Sequence, residues 1–202
     1  MKKIFLLGFS FMIFNSCIEL PEKSNNSSDS ISGIDFKTIS VEKLYQLDVP
    51  KYMKEMPSLH PEASLEYANI YKEAYVIVIH EDKEEFIDVF TEIDEYDTNL
   101  SVVENYKEVQ KKLFAESIAS IKTEDYELTN INGHNARQIK VFGKVDGLDV
   151  SYVVAFIEGD ENIYMIMNWT IDNRFKRFKD TFEYINSTFK IPDNYISKKN
   201  KK

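Results

Sequence analysis

Apolar positions are densest between Ala136 and Thr170, where three runs, Ala136–Val145, Leu148–Glu158 and Asn162–Thr170, are separated by two short polar breaks. Asp146-Gly147 supplies the positive-φ residue that a two-residue hairpin turn needs, and Gly159-Asp160-Glu161 sits where a second turn must fall. The runs predict an antiparallel meander. Its last two strands carry Val, Ile, Tyr, Phe and Met, with too few polar positions for a sheet wetted on one face. Other elements must cover them.

Upstream, Phe36–Ser40 and Lys43–Val49 alternate as a first pair of strands, which Pro50 ends by removing a ladder donor. Residues 51 to 62 predict a loop over an edge of the core, because Pro57 and Pro61 stop a helix while Tyr52, Met53 and Met56 remain apolar. Ser64–Ile70 and Ala74–His80 predict two more strands. The nearly continuous Tyr75 to Ile79 run marks the second as covered on both faces.

Helices follow. Asp82 with Glu85, and Ser101 with Glu104, have the spacing of capping boxes. The first opens a helix with Phe86, Val89, Phe90 and Ile93 on one face. The second opens a helix over about Val102–Ile121, with Val103, Tyr106, Gln110, Leu113, Ser117 and Ile121 at steps of three and four. Glu127–Ile131 predicts a short strand, and Asn132-Gly133 turns the chain into the meander. After it, Asp172 or Asn173 caps a closing helix whose Phe175, Phe178, Phe182, Ile185 and Phe189 form the most regular apolar stripe in the chain. Burying four phenylalanines contributes on the order of 6 to 12 kcal/mol before entropy is set against it, so this helix must dock on the sheet. The expected architecture over residues 34–191 is α+β, with a mainly antiparallel sheet, an inserted helical pair and a C-terminal helix packed on it. Residues 192–202 form a basic tail.

The amino terminus has a different pattern. Met1-Lys2-Lys3 is followed by the apolar run Ile4–Phe14, too short for a helix spanning a bilayer, and this is the signature of a secretory leader over residues 1–16. It ends in Phe14-Asn15-Ser16-Cys17, which resembles the lipobox of bacterial lipoproteins. That resemblance implies cleavage before Cys17 and acylation of the Cys17 thiol, palmitate being a typical chain. The alternative is an ordinary leader beside a stray buried cysteine. Phe14 and Asn15 depart from the commonest residues of the motif. Residues 17–33 then read as the acylated cysteine and a disordered tether rich in Ser, Asn and Asp, about 20 to 25 Å in average reach. Asp29-Ser30-Ile31 is similar to an O-glycan attachment site of some exported proteins, with a plain linker as the alternative.

Charge and cysteine content narrow the classes. The net charge is −9, falling to about −11 once Lys2 and Lys3 leave with the leader, which argues against nucleic acid or an anionic membrane surface as the main partner. A single cysteine permits no internal disulfide and no multi-cysteine metal site. The expected setting is the bacterial cell envelope, with the membrane engaged through the N-terminal lipid.

Four segments together are similar to the PsbP-like (DcrB-like) fold family, in its envelope lipoprotein branch: Tyr45–Pro50, the Tyr75–His80 strand before a helix, the Asn132-Gly133-His134-Asn135-Ala136 entry to the meander, and Phe182–Phe189 at the close. The likeness spans roughly residues 36 to 191. It implies a binding or assembly protein, since members of the family share no common active site to carry over.

Candidate chemistry is sparse. His60, His80 and His134 lack metal-ligand spacing, and no serine sits in a nucleophile elbow, so no catalytic residue, metal site or cofactor is expected. The acidic run Glu81, Asp82, Glu84 and Glu85 reads as helix capping rather than a cation site. Arg174, Lys176, Arg177 and Lys179 crowd the first turns of the closing helix, where the helix dipole disfavours cations. They offer a docking point for an acidic partner, phosphate or lipid headgroup, or else form a solvated face neutralised by the acidic domain. Tyr164 and Trp169 could line a groove beside them, or pack in the core. The leading expectation is a lipid-anchored, non-enzymatic binding or assembly module with a protein partner. The second is an envelope carrier of a small anionic or amphiphilic ligand.

Overall fold

The computed structural model describes residues 31–192. The leader, Cys17, most of the tether and the tail beyond Pro192 lie outside the described residues. Ile31–Gly33, placed in the tether by sequence, make one turn of 3-10 helix.

The domain is a seven-strand path of mainly antiparallel sheet covered on both faces. The strands are β1 (Phe36–Val41), β2 (Tyr45–Pro50), β3 (Lys54–Glu55), β4 (Ala63–Asn69), β5 (Ala74–Asp82), β6 (Ala119–Asp125), β7 (Asn130–Ile131), β8 (His134–Val145), β9 (Leu148–Glu158) and β10 (Asn162–Ile171). The helices are α1 (Lys83–Glu92), α2 (Val102–Ser117) and α3 (Asp172–Ser187). The sheet order is β3-β4-β5-β10-β9-β8-β6, with β7 paired to β8. The predicted meander, β8 to β10, is therefore an inner block, and β5 joins it through β10, with Trp169 opposite Tyr75 and Tyr164 opposite His80.

Alternation decides the two faces. In β10, even positions such as Tyr164 and Ile166 join one buried cluster, while Ile163, Met165, Met167 and Trp169 join the other. The first cluster lies under α3 and the β1–β2 hairpin: Phe178, Phe182, Ile185 and Phe189 of the predicted stripe are all buried. The hairpin forms a separate two-stranded sheet beside α3. Gln46 bridges to Lys190, and the Tyr45 hydroxyl shares a 2.7 Å hydrogen bond with Ser64 of β4. The second cluster lies under α1 and α2, through Phe86, Val103, Tyr106, Val109 and Phe114. Both predicted caps form: Asp82 accepts from the Glu85 amide at 2.9 Å and Ser101 from the Glu104 amide at 3.3 Å.

Four sequence expectations are corrected. The second helix ends at Ser117 rather than Ile121, because the chain turns outward through Ser120 at φ +54° into the edge strand β6. A bulge between Ala119 and Lys122 re-aims that strand, and Gly143 opposite must lack a side chain: a Cβ there would sit 2.3 Å from Ile118 Cγ2. The loop after Pro50 contains β3, which caps the far edge. Only Asn130 and Ile131 of the predicted Glu127–Ile131 strand pair with β8. Finally, neither Asp172 nor Asn173 caps α3: strand β10 runs straight into the helix through Ile171, and the Asp172 carboxylate accepts a 2.6 Å hydrogen bond from Ser151 instead.

The turn chemistry holds where glycine is required. Asp146 and Gly147 adopt φ of +50° and +83°, the left-handed pair of a tight hairpin.

Candidate binding surface

The residues singled out from sequence do not converge on one groove. Tyr164 and Trp169 are both buried, at 2% and 5% exposure, and an odd spacing of five places them on opposite faces of β10. Tyr164 packs against Tyr45 and Phe189, its ring centroid 5.7 and 5.0 Å from theirs. Trp169 stacks on Tyr75 at 5.0 Å with planes 10° apart. Both side chains are core.

The cations on α3 diverge as well. Arg174 reaches across to the β4–β5 turn, pairing its Nε with Glu73 at 3.1 Å and donating from Nη1 to the Tyr71 carbonyl at 3.1 Å. Lys179 points further down the helix to Glu183 at 2.8 Å, with Asp180 at 3.8 Å. Lys176 and Arg177 are exposed on the outer side, and the Arg177 guanidinium lies 5.6 Å from the Phe178 ring. Acidic partners thus offset Arg174 and Lys179, as a solvated face requires.

What gathers at this end of the sheet is apolar surface. Antiparallel register brings the β4–β5 turn, the β8–β9 turn and the start of α3 to the same end, because Tyr75 lies opposite Trp169 and Val150 opposite Ile171. Ile70, Tyr71 and Leu148 stand there at 50%, 83% and 54% exposure. Asn69 holds the turn that presents Tyr71: its Oδ1 accepts from the Lys72 amide at 3.0 Å and its Nδ2 donates to the Tyr52 carbonyl at 2.8 Å. Arg174 braces the same turn through the Tyr71 carbonyl. Tyr71 is thus presented on a turn held by Asn69 from within and by Arg174 from α3.

The opposite edge of the sheet carries a small pocket of about 190 Å³, lined by Glu104, Lys107, Asp125, Arg137 and the 126–129 segment. Its walls are charged and mutually paired. Glu104 accepts from Arg137 Nε at 2.5 Å and pairs with Lys107, which also contacts Glu108 at 3.3 Å and Asp125 at 3.4 Å. Burial pulls the Lys107 ammonium down, but hydrogen bonding and attraction to Glu104, with Asp125 and Glu108, outweigh it and leave the net shift upward. For Glu104, burial pushes the carboxyl up, and the hydrogen bonds from Lys107 and Arg137 carry it below its ordinary range.

No protein-family model and no curated protein matches the sequence. Solved structures do match in shape. Cyanobacterial PsbP (CyanoP) from Synechocystis sp. PCC 6803 aligns with 82% of this chain and 98% of its own, at 11% identity and a TM-score of 0.54. LpqN of Mycobacterium tuberculosis, described as involved in cell envelope biogenesis, aligns with 80% of this chain and 97% of its own, at 10% identity and a TM-score of 0.50. The fold is PsbP-like.

On this PsbP-like frame, sequence reasoning located α3 and its cations but missed both the Tyr71 turn and the charged pocket. For the pocket a signal existed. Lys107 falls four residues after Val103 and three before Gln110, on the inward stripe of α2, where a lysine needs partners. For Tyr71 no local signal existed, since Ile70-Tyr71 reads like the end of one more strand.

Proposed function

We propose that this chain is a lipid-anchored protein of the bacterial cell envelope that acts as a non-enzymatic binding module, docking a protein partner on the sheet end that carries Tyr71. The observation that carries this reading is the exposure of Ile70, Tyr71 and Leu148 at one end of the sheet, the end from which α3 starts with Arg174, Lys176 and Arg177. An exposed aromatic on a turn braced by an arginine has the composition of an interface anchor. Anchoring through Cys17 rests on the leader and lipobox-like sequence, and the envelope setting is in keeping with the described role of LpqN.

The alternative, a carrier of a small anionic or amphiphilic ligand near Trp169 and Arg174, has less support. Such a site needs several hundred Å³ of mainly apolar space. Trp169 is instead packed between Tyr75 and Tyr152.

Two experiments test the proposal. A photo-crosslinking amino acid at Tyr71 or Leu148 in living cells is expected to give a discrete adduct that Arg174→Glu weakens, while the same probe at Glu116, exposed on α2, gives none. Equal labelling at Tyr71 and Glu116 would remove the proposed surface. Separately, Cys17→Ala is expected to leave the chain uncleaved and without radioactive palmitate; retained label would remove the anchor.

A further inference from the structure

The edge strand β6 has an open side. Its residues Ala119–Asp125 are exposed except for Ile121, and only β8 pairs with it among the described residues. Which of its backbone groups face outward follows from the ladder. The register sets Glu124 opposite Lys140 and Asp125 opposite Ile139, and the Tyr126 amide donates to the Gln138 carbonyl at 2.9 Å, continuing that register by one step. In an antiparallel pair the hydrogen-bonded positions alternate, so Tyr126, Glu124 and Lys122 direct their backbone groups at β8. Thr123 and Asp125 therefore direct theirs away from the sheet.

We infer that β6 pairs with β6 of a second copy of this chain, antiparallel about a two-fold axis through Thr123. Three conditions select that register. Alternation permits an axis at Lys122 or Glu124 as a non-hydrogen-bonded pair, but either would set a like charge directly against itself, at the closest side-chain approach. An axis at Asp125 would oppose two like charges, and an axis at Ile121 would run the ladder into the bulge between Ala119 and Lys122. With Thr123 on the axis, Lys122 lies opposite Glu124 of the partner, twice by symmetry, on the sheet face where Glu124 already contacts Lys140 at 3.1 Å. The pairing thus adds a second cation to each Glu124 rather than displacing the first. Ile121 comes opposite the partner's Asp125, whose side chain is held on the other face by Lys107 at 3.4 Å. The ladder centres on the two backbone hydrogen bonds of the self-opposed Thr123 pair, fades towards the bulge at Ile121, and joins two sheets into one, a self-complementary interface of the weak, small class. It uses the edge opposite β3 and does not depend on the lipid anchor or on the Tyr71 surface.

Cysteine scanning of the full chain tests the register directly. Cys17 is the only native cysteine, so the unsubstituted protein is the baseline. Under mild oxidation, Thr123→Cys is expected to give a disulfide dimer about tenfold over that baseline, because self-opposed residues place their Cα atoms within disulfide range, whereas Lys122→Cys and Glu124→Cys stay near it. Adding Lys122→Glu to Thr123→Cys sets like charges together at both contacts and is expected to cut the dimer about fivefold; adding Glu124→Lys as well restores it. Equal crosslinking at positions 122, 123 and 124 overturns the inference. So does a Thr123→Cys dimer indifferent to the charge changes, or an adduct with a different protein in its place.

Discussion

The two faces of the sheet are buried equally well and built from different chemistry. Under α3 the cover is phenylalanine and aliphatic, and the polar seam at its centre is neutral: Asn186 donates to Gln138 Oε1 at 3.0 Å and accepts from Asn168 Nδ2 at 2.8 Å. Under α1 and α2 the polar groups are ionisable. Tyr106, fully buried, donates to the Glu81 carboxylate at 2.5 Å, and Lys107 sits among three carboxylates at the rim. Burial raises the Glu81 carboxyl above its ordinary range, the Tyr106 hydrogen bond opposes that, and Glu62 and Glu85 add to it. The amide seam under α3 holds no titratable group, that face responding to pH through His80, which stacks on Tyr164 and whose pKa burial lowers, whereas the contacts under α1 and α2 are themselves ionisable. The difference teaches that equal burial can conceal unequal response to conditions.

The comparison can be broken in four places. The largest effect belongs to Phe182→Ala, which empties a fully buried site under α3 and is expected to cost about 3 to 5 kcal/mol, read as a urea midpoint shift. Next, Asn186→Leu keeps the branched heavy-atom shape but removes the partner of Gln138 Oε1 and one of the two acceptors of Asn168 Nδ2, at about 2 to 3 kcal/mol, and the loss should be constant between about pH 5 and 8. A loss that varies across that range would mean an ionisable group is coupled to the amide seam.

On the other face, Lys107→Met removes the counter-charge shared by Glu104 and Asp125 and is expected to cost about 1 to 2 kcal/mol at neutral pH, less than a fully buried pair because the carboxylates remain partly wet. Its pH dependence has a definite sign. Glu104 is held below its ordinary value of 4.5, so its contribution is present above that value and fades as pH falls through the folded value; the variant and the parent should converge in acid. The smallest effect, about a few tenths of a kcal/mol, belongs to Glu81→Gln and has the opposite sign. The Glu81 carboxyl is raised, so the parent is penalised as pH rises above 4.5, and the variant should gain on it from acid towards neutral pH in paired melts. A variant that loses ground as pH rises would contradict the assignment of burial as the leading cause.

Much of this was legible in the chain itself. The period of two over residues 136 to 170, the Asp146-Gly147 turn and the phenylalanine steps of α3 are local patterns, and local patterns specify local conformations without help. They fixed the meander, the closing helix and the need to bury both. Even the separation of Tyr164 from Trp169 was present in the sequence, since an odd spacing along a strand cannot put two side chains on one face.

Tertiary structure decided the rest. That β5 returns to pair with β10, bringing the Tyr71 turn to the end of α3, depends on contacts about ninety residues apart that no window along the chain contains. The end of α2 is a similar case: Ile121 continues the helical period, but the chain leaves it because β8 offers an open edge and Gly143 offers room for a bulge. Local periodicity states which side chains need cover. Which element provides it, and which edge is left open, is settled only when strands remote in sequence compete for the same neighbours.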